Sequence, residues 1–159
     1  MFNPAHIHLL LNHVPILGIF FGVLLLSHAL IRSNPHVMGV ALVVFVVAGL
    51  AAIPTFLTGE PAEEIVEEMP SVSHRAIEDH EDSAKPALAA AIVLGIVSLG
   101  GLWLTLRRGG APSWLGVSLL VLSLVAAGLM ARTGHLGGLI RHPEILGAAP
   151  GDTELEDHD

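Results

Sequence analysis

Pro86–Leu106 reads PALAAAIVLGIVSLGGLWLTL, an unbroken run without one charged side chain. At about 1.5 Å per residue a helix of this length covers roughly 30 Å, the hydrocarbon thickness of a bilayer. Three further stretches have the same character: Ile7–Ile31, Val37–Leu57 and Ser113–Ala131. The whole chain has 159 residues, is 52% hydrophobic and only 14% charged, and has a mean hydropathy of +0.69. A soluble domain of this size could not hide so much apolar surface. The expected fold is all-α: an integral membrane four-helix bundle over residues 1–146, followed by an acidic tail at 147–159. The first span is too long, and too weakly basic at its start, for a cleaved signal peptide.

Four spans return the chain to its starting side. The start of span one, the connection between spans two and three, and the tail therefore share a compartment. All fifteen carboxylate side chains fall there, with eight of the ten histidines: His6, His8, His13, His74, His80, His135, His142 and His158. Only His28 and His36 face the other way. The two opposite loops carry Arg32 and the pair Arg107–Arg108, with no acid, which makes them cytoplasmic under the positive-inside rule. The expected location is a bacterial inner membrane, multi-pass, with N- and C-termini outside and the histidines at the periplasmic end. Trp103 and Trp114 flank the inner loop, as belt residues do.

Local signals refine this outline. Pro15 lacks an amide hydrogen, so a kink or late helix start is expected around His13. Gly18 and Gly22 form a G-x-x-x-G pair suited to close helix packing. Glu60 to Pro70 reads as a short amphipathic outer helix, with proline near its start and acids in the first turn. The third helix is expected to protrude outward from His74, capped by Ser71 or Ser73, and to bend at Pro86. Gly137-Gly138 is expected to end or loosen the fourth. No internal repeat stands out.

The absence of cysteine excludes disulfides, thiolate metal sites, iron–sulfur clusters and covalent haem attachment. No Ser-His-Asp, nucleotide or nucleic-acid motif is visible. Imidazole near a membrane span is costly to leave unpaired, so its default reading is functional. His13 lies deepest from the outer end of span one. On a regular helix His8 and His13 point about 140° apart, so each would serve a different neighbour. His74 reads as solvated, and His158 belongs to the tail.

Two chemistries fit. The first is b-type haem, one or two copies, held by imidazoles from different helices. His13 with His80 would form one axial pair and His8 with His142, or His135, the second. Arg75, Arg132 and Arg141 would pair with propionates. The second is a Zn, Cu, Fe or Mn ion held by His8, His13, His80 and His142 with Glu60 and Glu81, mixed ligands that suit borderline ions. Glu63, Glu64 and Glu144 are also available. A structural subunit of a larger complex, whose histidines only bond loops together, is the third reading.

Ala5-His6-Ile7-His8-Leu9-Leu10-Leu11-Asn12-His13-Val14-Pro15-Ile16 resembles the H-P-x-x-x-H-F-P-I opening of a family of small bacterial four-helix membrane proteins, the domain-of-unknown-function 2231 family. His8, His13 and Pro15 match; Leu9 and Val14 replace the family's proline and phenylalanine. Thr58-Gly59 resembles the T-G closing its second helix, and Gly134–Gly138 its late G-x-L-G-G. The resemblance implies four helices with histidines at one end and a suspected redox cofactor, but no activity. Thr58–Glu64, His80-Glu81 and Arg141–Glu144 look like a subgroup signature, which favours His80 and His142 over His74 and His135.

The expected function is therefore membrane-bound electron transfer through haem at the outer end, as a carrier or complex subunit rather than a stand-alone enzyme. Electrons would pass between a quinol or membrane redox complex and an outer acceptor. The acidic outer surface, within a net charge of −8, would favour a basic protein such as a small cytochrome.

Overall fold

The computed structural model describes residues 3–67, 72–108 and 112–142. The boundary at 146, the acidic tail and Glu144 lie outside them. Six helices account for the regular structure of the described residues: α1 (Pro4–Leu11), α2 (His13–Ile31), α3 (Pro35–Leu57), α4 (Gly59–Glu67), α5 (His74–Arg108) and α6 (Ser113–Arg141). Four helical stretches are long and apolar enough to cross a membrane: α1 with α2, α3 with α4, α5, and α6. The protein is an all-α, multi-pass membrane protein.

Helix boundaries follow local chemistry. Asn3 caps α1, its side-chain oxygen accepting from the Ala5 amide at 2.9 Å, with Pro4 at the first helical position. Asn34 caps α3 in the same way, accepting from His36 and Val37 ahead of Pro35. Near Pro15, where a kink or late helix start is expected, α1 gives way to α2 at Asn12, whose backbone stays helical (φ −62°, ψ −25°). Pro15 cannot donate to Leu11, and it sits in the first turn of α2, two residues after its start at His13. The short acidic helix appears as α4, and Ser73 immediately precedes α5.

Pro54 and Pro86 lie inside α3 and α5, which continue through them. Gly137-Gly138 does not end the fourth helix: α6 runs on to Arg141. Gly137 instead packs inside the helix, where an added Cβ would press on a neighbouring ring (below).

Ile19, Leu26, Leu42, Phe45, Leu94 and Leu119 are fully buried along the bundle axis. Small residues let the backbones close around them. A Cβ on Gly22 would overlap the Phe45 ring. At Gly49 it would stand 2.7 Å from the Ala91 carbonyl, where α3 and α5 cross. Leu17, Phe21, Leu24, Leu50, Ile96 and Val121 point outward and are exposed. So much outward apolar surface is the surface of a protein solvated by lipid.

The Gly49 crossing gives a direct test. Gly49→Leu is expected to destabilise the bundle by about 1–3 kcal/mol through overpacking, read as a lower unfolding temperature in detergent. Gly100→Leu is the control, since nothing lies within 4 Å of the added Cβ. Equal melting of the two variants would contradict the crossing.

Candidate functional site: two imidazoles at one end of the bundle

His8 on α1 and His80 on α5 meet at the acid-rich end of the bundle. Their ring centroids are 6.5 Å apart and their planes are nearly perpendicular, at 89°. Both rings are half-buried. His8 Nδ1 lies 3.0 Å from the Thr55 carbonyl, near the end of α3. His80 Nδ1 lies 3.0 Å from the Thr133 carbonyl, in α6. A carbonyl only accepts, so each Nδ1 carries the hydrogen and donates it. In the neutral ring, Nε2 is then left as the acceptor.

This is the support that metal-binding histidines ordinarily have: the far nitrogen donates to a carbonyl, which fixes tautomer and ring direction. The spacing agrees. An imidazole nitrogen binds its metal at about 2.0 Å, so two imidazoles on opposite sides of one ion have ring centres roughly 6 Å apart. Two imidazoles with satisfied Nδ1 atoms are a donor set for a group that brings its own equatorial ligands. Haem is such a group.

The two supports repeat each other. Val47-Ala48, Thr55 and Gly59 recur at identical spacing as Val125-Ala126, Thr133 and Gly137. Each threonine hydroxyl donates to the carbonyl one turn back, Thr55 to Ala51 at 2.8 Å and Thr133 to Leu129 at 3.0 Å. Each threonine carbonyl takes the histidine of the preceding span. Each glycine then lies against that histidine's ring. A Cβ on Gly137 would be 3.0 Å from His80 Cε1 and 3.1 Å from its Nδ1; on Gly59 it would be 3.8 Å from His8 Cε1. The second half of the bundle thus rebuilds the site-forming unit of the first. Sequence reasoning found no repeat and singled out neither Thr55 nor Thr133. The T-x-x-x-G pair, at matching ends of spans two and four, was the available signal.

The remaining candidates are scattered. The structure brings His80 to His8, not to His13. His13 is exposed, and its Nδ1 donates 2.7 Å back to Leu9 in the preceding turn. Asn12 between α1 and α2 keeps helical backbone (φ −62°, ψ −25°), so the His8 and His13 side chains leave one span in different directions. His135 and His142 are exposed, as are Arg75, Arg132 and Glu60. The Arg141 side chain lies outside the described residues. Glu81 and Asp82 hold Lys85 at 3.2 and 3.1 Å. His74 lies 3.3 Å from Glu67, tying the start of α5 to the end of α4. Among the described residues, no group of three or more histidines and carboxylates is placed to hold an ion together. The mixed set of His8, His13, His80, His142, Glu60 and Glu81 is therefore not assembled.

No protein-family model, curated protein or solved structure matches the chain.

Proposed function

We propose that the protein is a membrane-bound electron-transfer protein that holds one b-type haem between His8 and His80. The observation carrying this reading is the matched pair of imidazoles: 6.5 Å apart, each with Nδ1 donating to a threonine carbonyl. Haem bound there would supply one-electron exchange. The chain's own part is to fix both tautomers through Thr55 and Thr133, and to aim the rings from helices that cross the bilayer separately. Gly59 and Gly137 keep backbone close to those rings. The likeness of the His8–Pro15 segment to a family with a suspected redox cofactor points the same way.

Arg32 and Arg107 on the opposite end support, under the positive-inside rule, a reading in which the imidazole pair faces outward from a bacterial inner membrane. Glu60, Glu64, Glu78 and Asp79 are exposed around it. That surface favours a basic electron acceptor such as a small cytochrome, with a quinol or membrane complex as donor.

The test is spectroscopic. Protein purified after expression with ample haem should show a sharp Soret band that shifts on reduction. Two imidazoles with planes at 89° would, if both held one haem, give the oxidised protein a strongly anisotropic low-spin electron paramagnetic resonance signal. A colourless preparation that also fails to take up added haem would overturn the proposal.

A further inference from the structure

The two imidazoles have related but unequal supports. His80 stands on α5, a continuous 35-residue helix whose Ala87, Ala91 and Leu94 are buried in the core. Its neighbours are locked to α6. Ser83, only 3% exposed, has its hydroxyl 2.9 Å from that of Thr133, which also lies 3.0 Å from the Ser83 carbonyl. Gly137 closes against the ring at the limit of contact.

His8 stands on α1, which has eight residues and none buried. The helix continues through Asn12 into α2, and only there does burial begin, at Pro15, Ile19, Gly22 and Leu26. The seat at Gly59 is looser than at Gly137. The Thr58 hydroxyl lies 3.3 Å from His8 Nδ1, but its proton is directed to Pro54 and Thr55 carbonyls.

Resting on the haem reading above, we infer that His80 is the permanent ligand and His8 an exchangeable one. α1, with no buried residue, frays from its Asn3 cap, and a diatomic gas takes the position His8 leaves on the reduced protein. The step exchanges one donor bond for another. The Nε2 bond breaks and the gas bond forms, with no electron or proton transferred. The function added to electron transfer is reversible binding of a small gas that stops or reports the flow.

Carbon monoxide is the probe, with absorption spectra of the reduced, haem-loaded full chain as readout. Wild type should bind it slowly, at a rate that saturates with concentration because His8 must leave first. His8→Ala should keep its haem, become high-spin and bind carbon monoxide at once. His80→Ala should lose haem affinity at least tenfold. Asn3→Ala weakens only the α1 cap, and should speed binding in the otherwise native protein by about fivefold. Equal haem loss in both histidine variants, loss in His8→Ala alone, or a wild type inert to carbon monoxide would overturn the inference while leaving the haem reading intact. Failure of every form to take up haem would instead defeat the reading beneath it.

Discussion

Gly137→Val is expected to lower haem affinity between tenfold and a hundredfold while the four helices remain. The added Cβ alone would stand 3.0 Å from His80 Cε1 and 3.1 Å from Nδ1, and two methyl groups follow it. The neighbour is a ring, not a flexible chain end, so it must move as a unit. It cannot retreat without stretching the 3.0 Å bond to the Thr133 carbonyl. Losing a bond of this kind costs about 1–3 kcal/mol when a buried donor is left unmade, which is the stated range in affinity. The corresponding change on the other side, Gly59→Ala, meets His8 at 3.8 Å, an ordinary contact. It should bind haem within about threefold of wild type, since surface-seated changes of this sort stay within a few tenths of a kcal/mol. Haem titration followed by absorption reads both values, and circular dichroism checks the helices. Wild-type affinity in Gly137→Val would remove Gly137 from the site.

The four spans were legible because a membrane span announces itself locally. Pro86–Leu106 needs nothing but its own length and lack of charge to be read. The clustering of histidines at one end followed from counting spans. Which histidines meet was not legible, because it depends on how separate helices pack. His13 looked deepest, but its ring is exposed and turns back to Leu9. His8 and His80 are far apart in sequence, on separate helices, and only the packing of those helices puts their rings together.

The partners of the rings were hidden for a different reason. Both are backbone carbonyls, which every residue carries, so the side chains of Thr55 and Thr133 give no direct sign of them. Gly137 was readable as a helix terminator, because glycine often serves that role. Its actual role is steric, and it shows only once His80 lies across it. The repeated threonine–glycine spacing was visible throughout, but two short matches carry little weight until both are seen under an imidazole.

Thr133→Val is the second change expected to matter most, and it separates stability from binding. The substitution keeps the carbonyl that holds His80 but removes the hydroxyl that Ser83 reaches at 2.9 Å. The Ser83 hydroxyl then has a proton and no acceptor from α6 in a buried seam. The expected loss is about 1–3 kcal/mol in stability, read by thermal unfolding in detergent, with haem affinity changed less than tenfold. Ser83→Ala alone should cost less, because the Thr133 hydroxyl still reaches the Ser83 and Leu129 carbonyls. Combining the two removes the stranded donor, so the double variant should be more stable than Thr133→Val by itself. A double variant less stable than either single one would mean that Ser83 turns back to a carbonyl of α5 when Thr133 is lost. The α5–α6 knot would then be dispensable, and the rigidity assigned to His80 would have to come from Gly137 and the core below it.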